Sequence, residues 1–450
     1  MKKITCALMT LILVVSLAAC AGPGAGTGGA AVTPATPATP AAPAQGEAQQ
    51  AAPPVEMSLM GQGGAMNEIF INILNEYIET FNAENEFNVR FTSEFFENEQ
   101  YRTRIATMMA ANNQPDVFFT WEAAFIQPFV EGGNVFPIGS VMDDEWRDRF
   151  IDGVLPLHTF DGMLYAVPNI LNFCVVFYNT RLFEEHGVST PNTFEELLEI
   201  VEVFYSAGIT PITFGTRDAW VSGQYIQAFA NATAGIGLFD DLMAGETTWY
   251  DPRFIEAGLN AQRLIDANAF APGFLGRSGD EAIENFMAEN SAMFYHMVSN
   301  LARLTSEGSD VADNLGFFMF PTVGGVHDPN VVVGSIAQSF AVSSRAENID
   351  GAVAFLRGMS DESLHQRIAY EWSNIPTTRI QLDYGQLNPH FAQILELRNG
   401  ITRMTPWFDR MFGGGVGPAF NNASVSIMSG DDVETAFREL ERFTIDTLGR

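Results

Sequence analysis

Residues 57–81 read MSLMGQGGAMNEIFINILNEYIETF. The opening four residues form a short apolar run, which predicts a strand. Gly61, Gly63 and Gly64 then punctuate the chain. Beyond them Met66, Ile69, Phe70, Ile73, Leu74, Tyr77, Ile78 and Phe81 recur at steps of three and one. That spacing lays a single apolar stripe along an amphipathic helix. A strand, a glycine turn and a helix make the opening unit of an α/β fold.

The same alternation continues outward from this stretch. Residues 87–92 and 117–120 predict further strands, and residues 101–111 and 122–131 further helices. Strand-like runs follow at 175–178, 209–214, 292–295, 315–320 and 336–342. Thr193 and Glu196 form a capping box ahead of the stripe Phe194, Leu197, Leu198, Val201 and Phe204. Residues 252–267, 281–289, 352–359 and 363–372 predict helices. The tail over 389–448 reads as helical, with a glycine-rich break at 413–417. This many units in 450 residues exceeds one ordinary core and predicts two α/β lobes.

Composition narrows the function. Hydrophobic residues make up 47% and aromatics 12%, which is ample for a packed core. Acidic residues outnumber basic ones 54 to 23, a net charge of −31 that repels phosphate backbones, so no nucleic acid partner is expected. The lysines are Lys2 and Lys3; every other basic residue is Arg. Histidines and cysteines show no metal-ligand spacing, no metal or cofactor is implied, and neither H-E-x-x-H nor G-x-S-x-G occurs. Gly24, Gly26 and Gly29 match G-x-G-x-x-G, but no strand precedes them and no helix follows, so they mark no nucleotide site.

The first residues carry an export pattern. Lys2 and Lys3 precede an apolar run over 4–17, too short to span a membrane. Leu17-Ala18-Ala19-Cys20 resembles the bacterial lipobox, which implies a signal peptide over 1–19 and a diacylglycerol on the Cys20 sulfur. The charge of the processed chain is then 21 − 54 = −33. Residues 20–55, rich in Ala, Pro, Gly and Thr, predict an extended tether. Cys174, flanked by Phe173, Val175 and Val176, is expected to be a buried small residue.

Several stretches together resemble the extracellular solute-binding proteins of ABC importers, in their maltose-binding-protein-like sugar-binding family. The fullest is Phe177-Tyr178-Asn179-Thr180-Arg181-Leu182-Phe183-Glu184-Glu185-His186-Gly187 with Pro191 and Thr193-Phe194-Glu195-Glu196-Leu197, where Phe194 stands in the place usual for Trp. Gln114-Pro115-Asp116-Val117-Phe118, Gly208-Ile209-Thr210-Pro211-Ile212 with Asp218-Ala219-Trp220, Ser291-Ala292-Met293-Phe294 and Ile375-Pro376-Thr377 add to it. The sequence departs where Tyr295-His296-Met297 replaces a common Gly-Ser-Trp, and where the first strand lacks a Trp. The resemblance implies a type II periplasmic-binding-protein-like fold, with a hinge between lobes that close on a ligand. It places residues 56–165 plus about 286–340 in one lobe and 166–285 plus about 341–450 in the other. Hinge crossings are expected over 166–172, 287–291 and 334–341.

Ligands of open α/β sheets sit beyond the carboxyl ends of strands, and sugars are held by aromatic faces with amides and carboxylates around them. Those rules select Gln62, Glu94, Trp121, Glu122, Asp218, Trp220, Tyr295 and His296 as ligand-binding candidates, and the resemblance adds Asn172 in an expected hinge crossing and Trp372 at the end of a helix before the Ile375-Pro376 turn. Trp249 and Trp407 have no assigned place, and Trp146 amid Asp143, Asp144 and Glu145 is expected to cap a solvated helix. Arg90, Arg102 and Arg217 are candidates for a phosphate ligand.

The implied function is a non-catalytic, lipid-anchored extracytoplasmic receptor. It captures a mono- or oligosaccharide, acts as a monomer and docks on membrane permease subunits. The alternatives are the same fold binding a polyol or glycerophosphodiester, and an exported carbohydrate-active enzyme, which needs two carboxylates across a cleft.

Overall fold

The computed structural model describes residues 52–449 apart from Val326 and Gly414. The signal peptide, Cys20 and most of the tether lie outside the described residues. Residues 53–450 form one compact unit.

A mixed sheet runs through it in the order Val89–Phe96, Val55–Gln62, Val117–Thr120, Val331–Val342, Val167–Asn179, Ser291–Met297 and Thr210–Ile212. The first three strands are parallel, as the opening β-α-β reading requires. The strand Val331–Val342 then pairs antiparallel with Val117–Thr120 through Ser339 to Val342. It also pairs with Val167–Asn179, from Gly334 opposite Phe173 to Phe340 opposite Val167.

Two cores divide the molecule into lobes. One is built from Met57, Leu59, Phe70, Val117 and Phe119, and takes Val167, Ile170, Phe340, Phe355 and Trp372 from later in the chain. The other lobe holds Cys174, Val176, Phe194, Phe229, Met293, Phe408 and Phe437 on one side of its sheet. Phe173, Val175, Phe177, Phe294 and Phe391 lie on the other side. The alternation of 173, 175, 177 with 174, 176 is the period of a strand buried on both faces.

These memberships correct the expected boundaries. Ser291–Met297 pairs with the distal half of Val167–Asn179 and with Thr210–Ile212, so it stays in the second lobe. No crossing occurs at 287–291, because Phe286 and Phe294 pack in one core. Ala352, Phe355 and Trp372 belong to the first lobe. The chain crosses at Val167–Asn179, at Val331–Val342 and near Ile375–Pro376, which pairs with Leu171 and Ile170. The register of Val331–Val342 shifts between Ile336 and Ser339, a bulge in the crossing.

A buried polar chain ties the three crossings together. His365 contacts Asn169 Oδ1 at 3.1 Å and the Thr378 hydroxyl, and Asn169 donates to the Gln338 side-chain carbonyl. Burial pushes His365 down to about 3, so the ring is neutral.

Most elements match the sequence pattern. The first helix is Glu68–Glu84, preceded by a 3-10 turn Ala65–Asn67. The capping box at Thr193 and Glu196 is formed. The expected helix at 122–131 is instead a 3-10 turn Ala123–Phe125 and a short helix Gln127–Glu131. Trp146 is corrected from a solvated cap to a core residue, fully buried, donating Nε1–H to Ser360 Oγ at 2.6 Å. Cys174 is buried, and burial pushes its thiol up to about 12.

Candidate functional site

A cleft of about 630 Å³ opens where the crossings meet, walled by both lobes. The first lobe reaches it from the ends of its strands. After Val55–Gln62 the backbone turns at Gly64, whose φ of +93° is one that residues with a side chain rarely adopt. That turn carries Gln62 into the wall and buries Asn67, which donates to Gly63 O at 3.0 Å.

Trp121 follows Val117–Thr120 and lines the cleft, 2% exposed. Its edges meet Phe119 and Phe125 at 4.7 Å, and the Arg102 guanidinium lies 4.4 Å over its ring. A cation therefore occupies the face expected to hold a ligand. Glu122, the next residue, is fully buried behind the wall, 3.5 Å from Arg410. Burial pushes its carboxyl up and the Arg410 guanidinium draws it partway back.

The floor belongs to the crossings. Asn172 lines it, 1% exposed, donating to Ser299 Oγ at 2.7 Å and accepting from its neighbour Phe173 N–H at 3.0 Å. Gln338 joins it at the bulge. Trp372 closes the first-lobe side, stacked on Phe70 at 5.1 Å and donating to Met66 O at 3.1 Å. It is 1% exposed, so little of its surface faces the cleft.

From the second lobe comes Trp220, half-buried at the start of Ala219–Ala234, its ring edge-on to His296 at 5.4 Å. It offers the cleft an aromatic surface less buried than Trp121 and Trp372. Asp218 and His296 line an adjoining compartment, and Asp218 accepts from Gly279 N–H at 2.7 Å.

Two candidates lie away from this cleft. Glu94 is exposed on the surface, 3.7 Å from Arg104. The strand expected to stop at 92 runs to Phe96, so Glu97 and Asn98 stand at its carboxyl end and line the walls instead. Tyr295 is 3% exposed in the second core, against Tyr225 and Phe320 at 5.0 Å. Adjacent strand residues face opposite ways, so Tyr295 and His296 could not share one side.

Asp409 and Arg410 also line the cleft, and the sequence reading did not select them. They sit on the short helix Phe408–Met411, just after the strand Arg403–Thr405. The run Pro406-Trp407-Phe408-Asp409-Arg410, aromatic and charged beyond a strand, was the available signal. Asp409 lies 3.9 Å from Arg102 and Arg410 3.5 Å from Glu122, so two neighbouring residues of the second lobe pair with opposite charges of the first. Arg410 also donates to Ile336 O at 3.2 Å and covers Trp407 at 4.2 Å. Trp249 lies in the second core, 1% exposed. Among the phosphate candidates, Arg102 lines the cleft, and Arg90 and Arg217 do not.

Residues 68–362 match the family described as bacterial extracellular solute-binding protein. The chain belongs to this family. The solute-binding protein is 30% identical over 132 residues to the maltotriose-binding protein of Pyrococcus abyssi, 29% of this chain and 27% of that one. It is 23% identical over 211 residues to the multiple sugar-binding protein of Streptococcus mutans, 45% and 49% of the two chains. This chain thus spans less than half the length of those curated relatives. Solved structures align more completely. One, described in work on xylan utilization by the thermophilic bacterium Caldanaerobius polysaccharolyticus, shares 26% identity at a TM-score of 0.82, over 86% of this chain and 99% of that one. A chitin oligosaccharide binding protein gives 21% identity and 0.82, over 89% and 100%. RafE in complex with raffinose gives 18% and 0.73, over 87% and 99%. The fold is the mixed α/β, two-lobed architecture of these proteins.

Proposed function

We propose that this solute-binding protein is a lipid-anchored extracytoplasmic receptor that captures a carbohydrate between its lobes and delivers it to an ABC permease. The observation that carries the reading is the cleft itself. Trp220 supplies an aromatic surface, while Gln62, Asn67, Asn98, Asn172 and Gln338 supply amides around it. That combination suits a ring with one apolar face and a rim of hydroxyls. The names of several relatives, for maltotriose, multiple sugars, chitin oligosaccharide and raffinose, support the same class. Of the candidates, Gln62, Trp121, Asn172, Asp218, Trp220, His296 and Trp372 keep a place at the ligand; Glu122 acts from behind the wall.

Capture follows population shift: a ligand touching both lobes stabilises the closed arrangement by its differential affinity for it. Lipidation of Cys20 and the tether over 20–55 would keep the receptor at the membrane beside its permease. A phosphate-bearing solute has less support, because Arg102 and Arg410 already pair with Asp409 and Glu122.

A thermal-shift panel of xylotriose, maltotriose, diacetylchitobiose, raffinose, polyols and glycerophosphodiesters tests the proposal, since a ligand that binds the folded state raises Tm. A rise with a saccharide is expected. A rise confined to polyols or phosphodiesters would overturn the carbohydrate reading.

A further inference from the structure

The cleft does not end at Trp220. A second compartment of about 550 Å³ adjoins the first, and Gln62, Met66, Asn67, Asn98 and Trp220 belong to both walls. Among the described residues, Trp220 is the one aromatic residue common to the two walls.

The chemistry of the second compartment differs from that of the first. Arg102 and Arg410 face the first space. The second has no Arg or Lys in its wall and carries Glu97, Asp218 and Asp280. Asp280 is neutralised by Arg303 at 2.6 Å, but Asp218 accepts only a backbone N–H, and Glu97 and Asp218 form no ion pair among the described residues.

An independent feature lies in this wall. His296 belongs to it, 1% exposed, and its Nε2 has no partner among the described residues. The tautomer follows from its neighbour. Asn300 Nδ2 lies 3.2 Å from Met297 O, a pure acceptor, so that end of the amide is the NH2. The same Nδ2 stands 2.7 Å from His296 Nδ1, which therefore accepts. Burial, with Arg303 nearby, pushes the ring down to about 3, so it is neutral and carries its proton on Nε2. A buried N–H without an acceptor is unfavourable until something supplies one.

We propose that the cleft is a two-compartment site for an oligosaccharide, in which the second compartment takes an uncharged sugar unit and refuses an anionic one. His296 Nε2–H donates to an oxygen of that unit, Asp218 and Glu97 accept its hydroxyl protons, and Trp220 packs against the units on both sides. The inference rests on the carbohydrate reading above.

Calorimetric titration of the full chain tests it with xylose, xylotriose and xylotriose bearing a glucuronic acid, and with glucose against maltotriose. The trisaccharide that binds is expected to exceed its own monosaccharide by at least about tenfold, the worth of one or two added hydrogen bonds and a stacked face. The glucuronic-acid form should bind more weakly than plain xylotriose. His296→Phe should abolish most of the trisaccharide preference, and His296→Gln, which restores a donor, should recover it. A monosaccharide bound as tightly as its trisaccharide would overturn the inference while leaving the carbohydrate reading standing. So would an equal loss for both ligands in His296→Phe. Binding of none of the saccharides would remove both.

Discussion

Trp121 and Trp220 show how differently two residues of one type can serve a cleft. Trp121 is 2% exposed, with aromatic edges around it and a guanidinium on its face, so it belongs to the packing as much as to the wall. Trp220 is half-buried and presents its ring. Trp121→Ala should therefore destabilise the protein by about 3–5 kcal/mol, the range for a large core truncation. Trp220→Ala should lower saccharide affinity by about 10- to 100-fold with little change in stability. Chemical denaturation and calorimetry on the two variants separate the outcomes; a stability loss at Trp220 as large as that at Trp121 would refute the distinction. Cys174 illustrates the same rule of burial. Its thiol, pushed up to about 12, should resist alkylation at pH 8 in the folded protein and react after denaturation, as read by peptide mass mapping. Both tryptophans stood out in the sequence because each follows a strand end. The guanidinium on Trp121 did not, since Arg102 comes from a different helix, Asn98–Ala110.

At the scale of elements, the legible ones had a pattern of their own. The helix Glu68–Glu84 shows its apolar stripe, and Phe194–Ser206 its capping box. The helix Ala219–Ala234, which carries Trp220, went unread because nearly its whole circumference is buried and no polar face gives it a period. The strand Val167–Asn179 was read only over 175–178, since its proline and asparagines at the crossing look like a turn. The helical reading of 389–448 includes the short helix Phe408–Met411, but its place at the cleft is not legible, because its ion-pair partners Arg102 and Glu122 stand far earlier in the chain. It clasps the lobes through Asp409 with Arg102 and Arg410 with Glu122. Arg410→Gln leaves a fully buried carboxylate without its cation and should destabilise by about 3–5 kcal/mol. Adding Glu122→Gln should recover much of that loss. A double-mutant cycle in urea measures the coupling, and additive losses would show that the pair does not interact.

Over the whole molecule, the sheet's order explains why the lobe boundaries were misread. Long strands crossing from one core to the other leave little composition change at the boundary, and the apolar pattern of 291–297 fits either lobe. Register alone assigns it, through pairing with Val167–Asn179 and Thr210–Ile212. The burial of neutral histidines also sets the molecule's response to acid. His158, His296 and His365 are each pushed down to about 3 by burial. Between pH 6.5 and about 3 the unfolded chain binds a proton at each that the folded protein does not, so stability falls as pH falls. Each contributes a slope approaching about 1.4 kcal/mol per pH unit. Glu122, raised by burial, opposes them, gaining stability as it protonates. Tm should therefore drop between pH 7 and pH 5, and a flat profile would mean these rings are solvated. The three histidines are spread over 158–365 in sequence, so nothing but the fold could reveal their shared behaviour.

The proposed function stands on a saccharide binding between the lobes around Trp220. A crystal structure of the protein with the saccharide giving the largest thermal shift addresses it most directly. The expected complex has a sugar ring against Trp220, with hydrogen bonds from Gln62 or Asn67 of the first lobe and from the second lobe. A sugar seated on one lobe alone, or away from Trp220, would contradict it.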